Sequence, residues 1–402
     1  MKSYDAYLRR PDFFKVIKRK TWQDWLWQQQ NVVCDLPGLQ RVFPELPAGQ
    51  IRSGNEWMGR RFRLRLTPYV LSLVLKDKSG NPLKSDPVWK QVFPFFGNIK
   101  SAAKRPDEYS PGRENWKVPR EMITPIAQHK YENRVLINTA DCCLGYCMYC
   151  FRALQSSVRK RGSGVSAYWD ETIGEIKKRP EIEEVILSGG DPLVYGNRVI
   201  EKLLKDLRGI KTVKVIRIHT RAWTHNPFRI DKGFCRLLKK YKVTGLGVHI
   251  VHPKEITLDF LAAIGRVRKS GAGTMLMCDT PLIKGVNDDA EILRELFMKL
   301  YAAGVKPYYL SHNMPNIPFA VAQRTSVKKG LRLMNSLKRK ISNPAMPEYI
   351  ITHRSGKKTV PECEKGSADF IYAKDKNGWP VIRFKNRKRQ WQIYIDGLDA
   401  RC

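Results

Sequence analysis

Cys143, Cys147 and Cys150 occur in the run Cys143-Leu-Gly-Tyr-Cys147-Met-Tyr-Cys150. Thiolates are the soft ligands that iron–sulfur clusters take, and a fully closed cluster site wants four of them. Cys142 adjoins the run, but side chains of neighbouring residues point apart, so it does not supply the fourth. Three thiolates therefore suit a [4Fe–4S] cluster that keeps one iron open to a small-molecule ligand. A structural zinc knuckle would use the same atoms, yet it usually needs a second ligand pair. Further along, Ser188-Gly189-Gly190-Asp191-Pro192 follows a strand-like run. Two adjacent glycines let the backbone come close to a ligand, with N–H and C=O groups free to pair with it.

These residues need a scaffold that brings distant loops to one place. From about Arg134 to Pro315, short apolar runs alternate with amphipathic helical ones, the mark of a parallel sheet or barrel. The strand-like runs are Val135–Ala140, Val185–Ser188, Val213–Ile218, Gly245–Val251, Thr274–Thr280 and Val305–Leu310. The helical runs are Asp170–Lys178, Arg198–Leu207, Lys232–Tyr241, Glu255–Lys269 and Ala290–Ala303. Six such strands predict an α/β chain, a partial (β/α)6 barrel whose chemistry sits at the C-terminal strand ends. The domains expected are a helical, loop-rich extension over 1–133, the barrel over 134–325 and a C-terminal segment over 326–402. A helix is predicted over Ser326–Ile341, and Asn377-Gly378 predicts a hairpin turn.

Composition narrows the setting. With 402 residues, 42% of them hydrophobic, the chain can bury a full-sized core. No run reaches the length of a membrane span, and Met1 to Phe14 is polar and basic rather than a signal peptide. Nine cysteines, scattered outside the cluster run, argue against a disulfide framework and fit a reducing cytoplasm. The net charge of +35 is abnormal for a metabolic enzyme. Basic residues cluster at Arg60, Arg61, Arg63 and Arg65, at Arg159–Arg161, at Lys338–Lys340 and from Arg383 to Arg389. Trp379, Phe384, Trp391 and Tyr394 interleave with the last run. For any single cluster a solvated surface explains the charge, but the excess over the whole chain points to a polyanion, most simply nucleic acid.

The cysteine run, with Tyr149 before its last cysteine and the Gly189-Gly190 loop downstream, resembles the radical S-adenosylmethionine (SAM) enzymes. More of the chain is similar to one family among them, the lysine 2,3-aminomutases. The matching segments are His129–Leu136, Tyr146 and Arg152, Leu187–Leu193, Arg217–Arg221, His252–Thr257, Lys284–Asp288 and Pro307–Leu310. The resemblance runs from about Leu66 to the C-terminus. It implies Cys143, Cys147 and Cys150 as cluster ligands and Tyr149, Ser188, Gly189, Gly190, Asp191, His219 and His252 as the SAM site. It also implies pyridoxal 5′-phosphate (PLP), with Lys358 as Schiff-base lysine, Lys357 as competitor, and Lys130 and Arg134 at the phosphate. Arg152 matches the arginine that clamps the α-carboxylate of the substrate, and bidentate geometry suits that task.

Departures from the family are as informative. Where lysine-specific members place two aspartates for the distal ammonium, this chain has Asn313-Met314 and Ile351-Thr352-His353. A buried ammonium without a counter-charge is costly, so free lysine is disfavoured. Cys278-Asp279 replaces the family's Asn-Gln. Near the C-terminus only Cys363 and Cys402 remain of a zinc-binding cysteine cluster, so no zinc is expected. The resulting expectation is an aminomutase-like isomerase fed by a one-electron reductant such as flavodoxin or ferredoxin, with a homo-oligomer allowed for. Its substrate would be an α-amino acid moiety, joined to a modified base in DNA such as a phage-type hypermodified thymine. The alternatives are a free-amino-acid 2,3-aminomutase, a radical SAM enzyme without PLP, and a nucleic-acid-binding protein with a structural or redox-sensing cluster.

Overall fold

Ten strands pair in chain order in the computed structural model, which describes residues 3–59, 64–93, 118–150, 152, 165–315 and 320–396. They are β1 (Met122–Thr124), β2 (Ala127–Tyr131), β3 (Arg134–Ala140), β4 (Glu184–Gly189), β5 (Val215–Thr220), β6 (Gly245–Val248), β7 (Met275–Leu282), β8 (Lys306–His312), β9 (Glu348–His353) and β10 (Gly356–Thr359). Neighbours from β3 to β9 are parallel, while β1, β2 and β10 add antiparallel hairpins at the two ends. The parallel set therefore holds one strand more than the six expected. The extra strand, β9, lies in the C-terminal segment, and β1 and β2 lie before the boundary placed at residue 133. The hairpin strands β1 and β2 lack the helix-to-strand alternation from which the barrel was read, whereas β9 continues that alternation beyond the helix predicted over Ser326–Ile341.

Parallel neighbours require crossovers, and amphipathic helices supply them. These are α1 (Val165–Lys177), α2 (Asn197–Arg208), α3 (Lys232–Lys240), α4 (Leu258–Lys269), α5 (Ala290–Ala302) and α6 (Val327–Leu337). In α2 the buried residues are Ile200, Leu203, Leu204 and Leu207, and in α4 they are Phe260, Ala263, Ile264 and Val267. Both follow the one-face spacing of a helix, and each large side chain so buried contributes about 1.5–3 kcal/mol. Starts are fixed by side-chain caps: Asp231 on α3, Thr257 on α4, Asp289 on α5 and Ser326 on α6.

The two ends of the sheet approach one another without forming a ladder. The Tyr131 hydroxyl accepts from the Lys357 N–H at 3.2 Å, and Lys130 Nζ donates to the Arg354 carbonyl. Side chains thus span the gap that leaves the barrel partial.

Short helices over 6–92 build a separate apolar cluster around Trp22, Leu39, Tyr69 and Trp89. It is tied to the barrel by Tyr69 Oη with Thr257 Oγ1 at 2.6 Å and by the buried Lys254–Asp86 ion pair. After β10, a three-stranded antiparallel sheet follows, β11 (Phe370–Lys374), β12 (Pro380–Lys385) and β13 (Trp391–Ile395). The hairpin expected at Asn377-Gly378 forms, with Gly378 at φ 79° and Asp375 N–H bonded to Trp379 C=O. Phe370, Ile382, Phe384 and Tyr394 join the barrel's core. Phe384 and Tyr394 are therefore packing residues and not part of a surface, contrary to the expectation that they interleave with the basic run there. Arg60, Arg61, Arg63, Arg159–Arg161 and Cys402 lie outside the described residues.

Candidate active site

The cysteine loop leaves the C-terminal end of β3, and the Ser188–Pro192 loop leaves the end of β4 beside it. Each grips the other through backbone. Gly190 N–H donates to Ala140 C=O at 2.7 Å, and Asp191 N–H donates to Cys142 C=O at 2.9 Å. A Cβ on Gly190 would sit 2.1 Å from the Cys142 carbonyl oxygen, and Gly189 stands at φ +118°, 2.8 Å from the Thr139 nitrogen on the same test. Gly190 permits this close approach to the cysteine loop, and Gly189 permits the approach to the end of β3.

Asp191 is buried and fully engaged. Its carboxylate accepts from Thr220 Oγ1 at 2.7 Å, Arg221 N at 2.7 Å and Leu193 N at 2.9 Å. Burial raises its pKa against those hydrogen bonds. It fastens the β4 loop to the end of β5.

Cys143, Cys147 and Cys150 are each partly exposed. Burial pushes the Cys143 thiol up strongly, and Cys150, Asp191 and Cys147 add to the effect. Burial raises Cys147 too, opposed by Arg221, whose Nη1 donates to its Sγ at 3.2 Å. Disfavoured ionisation at Cys143 and Cys147 fits a site whose cations come from bound metal. Among the described residues no group of His, Cys, Asp and Glu closes around a single ion. A cubane makes no such demand, because each cysteine binds a different iron.

Arg221, just past β5, is buried in a network of its own. Nη2 donates to Glu255 Oε1 at 2.9 Å and Gln91 Oε1 at 2.7 Å, and the guanidinium carbon lies 5.2 Å from the Tyr149 ring centre. Glu255 in turn accepts the Val251 and His252 N–H groups at 2.8 and 2.9 Å.

Inside the barrel, residues from β5 to β10 converge. His219 and His249 stand with ring centres 5.6 Å apart, and a Cβ on Gly247 would strike the His219 ring. Ser311 Oγ donates to Asp279 Oδ1 at 2.6 Å. Lys357 Nζ lies 3.7 Å from Asp279 Oδ2 and 3.9 Å from the Tyr309 ring centre. Burial lowers the His219 pKa well below its ordinary value, and His249, Arg217, Lys357 and Arg152 reinforce this. Arg152 Nη1 itself donates to Asn138 Oδ1 at 2.8 Å and to the Gly189 carbonyl at 3.2 Å.

Strand alternation separates the two candidate lysines. Lys357 is paired with Thr352, and Lys358 with Ile351. Directly opposed residues share a face, and neighbours along a strand do not. Ile351 belongs to the outer core, and Tyr349 on the same side reaches Val327 and Gly330 of α6. Lys358 is therefore on the outer side, and Lys357 faces inward.

His252 is also away from the interior. It caps a short 3-10 turn, with Nδ1 accepting the Lys254 N–H at 3.1 Å. Burial and Lys254 bring its pKa to about 4, and the other groups acting on it are Asp86, Glu295 and Lys299, none from the barrel interior.

Comparison with known proteins bears on what this site is. Residues 137–306 match the model of the Radical SAM superfamily. L-lysine 2,3-aminomutase of Acetoanaerobium sticklandii is 31% identical over 350 residues, 87% of this chain and 80% of its own length. L-lysine 2,3-aminomutase of Clostridium subterminale is 30% identical over 359 residues, covering 88% and 81%. This chain belongs to the lysine 2,3-aminomutase family of radical SAM enzymes. Glutamate 2,3-aminomutase of Clostridioides difficile, 29% identical with 85% and 76% covered, shows that similar chains carry different substrate names.

Enzymes of this family use a [4Fe–4S] cluster, SAM and PLP. The interior fits such polar guests: His219 Nε2 and Tyr149 Oη are buried without a partner. Around Tyr131, the guanidinium carbons of Arg134 and Arg387 lie 4.2 and 4.7 Å from the ring centre, and Lys130 pairs with Glu121 at 2.9 Å. This cationic group adjoins the Lys357 backbone, as a phosphate subsite would need to. Sequence reasoning missed Arg387 as a neighbour of this group, along with Glu255 and Gln91. Glu255, a lone acid between strand end and helix, was the one with a readable signal.

Proposed function

We propose that this family member is a radical SAM, PLP-dependent isomerase that moves an amino group between adjacent carbons of an α-amino acid moiety. The placement of Lys357 Nζ 3.7 Å from Asp279 and 3.9 Å from the Tyr309 ring, with Arg152 held on the Gly189 carbonyl at 3.2 Å beside the cysteine loop, carries the reading. Cys143, Cys147 and Cys150 would hold the cluster, Lys357 would hold PLP, and Lys130 and Arg134, with Arg387, would face its phosphate. The cluster and SAM would supply a primary carbon radical that removes one substrate hydrogen, and PLP would delocalise the unpaired electron while the amino group moves.

The chain's own residues set the stage for this. Arg152 binds the substrate carboxylate in a fixed fork, which orients the Cα–Cβ bond. Asp279, itself held by Ser311, keeps Lys357 aimed inward. The sheet and its helices keep bulk water from the reacting carbon.

Free lysine remains a poor substrate. Asn313 is buried and bonded to the Gln323 carbonyl, Met314 is apolar, and Ile351 and His353 face outward. The interior carboxylate of Asp279 is already taken by Lys357 and Ser311.

The substrate that accounts for the charge is an amino acid carried on nucleic acid, as in a modified DNA base. The outer face of the β11–β13 sheet supports this. There Ile371, Arg383 and Ile393 stand in register, and Trp391, 41% exposed, lies 5.3 Å from the Arg383 guanidinium and 5.2 Å from Lys385 Nζ. An exposed indole among cations is a stacking surface for bases beside a phosphate track. Arg387, on the loop joining β12 and β13, leads from this face to Tyr131 and the site. Anaerobic incubation with DNA carrying an amino-acid-modified base, with plain DNA and with free amino acids, followed by mass spectrometry, tests the reading. A shifted amine in the modified nucleoside is the expected product. A β-amino product from free amino acid alone would move the substrate to the small-molecule class.

A further inference from the structure

The Arg221 network lies beside the proposed cluster, yet neither the radical chemistry nor substrate binding uses it. Its guanidinium donates to Cys147 Sγ at 3.2 Å and is held on its far side by Glu255 at 2.9 Å and Gln91 at 2.7 Å. Both charged side chains are largely buried, at 11% and 2% exposure, so water screens them little. A guanidinium cannot be deprotonated in a protein, so Arg221 is a fixed cation beside the sulfur. We infer that Arg221 is a positioning residue that sets the reduction potential of the cluster, with Glu255 as its counterweight.

The argument is electrostatic. A cluster carrying three thiolates is already anionic, and the electron it receives from a low-potential reductant adds to that charge. A donor aimed at a ligand sulfur stabilises the reduced form more than the oxidised one, which raises the potential. Glu255 opposes this from further away, because the guanidinium lies between it and the sulfur. Arginine suits the place better than lysine, since one planar fork can bond the sulfur, the carboxylate and Gln91 together. The same fork fastens the cysteine loop to the end of β5 and to the N-terminal helices that carry Gln91.

This inference rests on the proposed ligation by Cys143, Cys147 and Cys150. The test uses anaerobically reconstituted full-length protein, with iron content measured first and the midpoint potential then taken by redox titration under electron paramagnetic resonance. Arg221→Gln should shift the midpoint to more negative values, Arg221→Lys should fall between it and wild type, and Glu255→Gln should shift it to more positive values. Opposite signs for the two partners are the signature, because damage to packing alone would not reverse between them. Should Arg221→Gln fail to retain iron, Arg221→Lys and Glu255→Gln decide by the same criterion. Iron-loaded variants with the wild-type midpoint, or with shifts of the same sign, would overturn the inference while leaving the cluster in place. Wild-type protein that takes up no iron would overturn the ligation itself, and this inference with it.

Discussion

Replacing Lys357 and Lys358 one at a time should separate chemistry from surface charge. Lys357 faces the interior, 3.7 Å from Asp279 Oδ2, while Lys358 is paired with the outward-facing Ile351. At that separation the Coulomb attraction is about 4 kcal/mol for an effective dielectric near 20. The pair is partly solvated, with exposures of 39% and 25%, so its net worth to stability is at most about 1 kcal/mol. Lys357→Ala should therefore fold, with a melting shift of only a few degrees. Its chemical loss should be far larger, because a misplacement of about 1 Å already costs on the order of a hundredfold. Borohydride reduction of PLP-loaded protein followed by peptide mass spectrometry reads the attachment point without depending on turnover. The expected result is a pyridoxyl group on Lys357, absent from Lys357→Ala and unchanged in Lys358→Ala. A label on Lys358, or loss of the visible PLP absorbance in Lys358→Ala alone, would refute the reasoning from strand alternation.

Other outcomes follow from the same geometry. Gly190→Ala places a methyl 2.1 Å from the Cys142 carbonyl and should displace the cysteine loop. It should lower iron per chain and cost about 1–3 kcal/mol in a denaturant melt. Asp259, whose pKa burial and the nearby Asp5 charge raise to about 6, has a buried oxygen without a partner. Below the unfolded pKa near 3.8 it contributes nothing. Between there and about 6 the unfolded chain ionises first, so stability falls as pH rises, by no more than about 3 kcal/mol. Asp259→Asn should thus be stabilising at pH 7 and neutral below about pH 4, as followed by denaturant melts across that range. Trp391→Ala should weaken DNA binding at all salt concentrations. Arg383→Ala should flatten the salt dependence by about one unit in the log–log slope if it holds one phosphate, and fluorescence anisotropy measures both.

Much of the barrel was legible because its signal is periodic. The spacing of Ile200, Leu203, Leu204 and Leu207 is visible in the letters, and α2 runs where that pattern does. The extra strand β9 was not legible as part of the sheet, because it is joined by hairpin to β10 and no second crossover follows it to mark its partner. The cysteine run could be read as a cluster site from spacing alone. The packing of the glycine loop beside it was not legible: that Gly190 meets the Cys142 carbonyl depends on two loops meeting in space. His252 shows the same limit, since nothing in the sequence distinguishes a capping histidine from one that faces a ligand.

The choice between Lys357 and Lys358 shows what a sequence match leaves undetermined. The family resemblance favours Lys358, because it compares the loop as a string of letters. The sheet imposes a different constraint. Register with β9 assigns one lysine to each face, and a slip of one residue would exchange them. That register is held from both sides. Tyr131 accepts from the Lys357 N–H at the open edge, and Ile351 is packed in the core on the other. A slip of β10 would turn Lys358 toward Asp279 in place of Lys357 and would break the hydrogen bond between the Lys357 N–H and Tyr131. The inward lysine is thus fixed by packing elsewhere in the sheet.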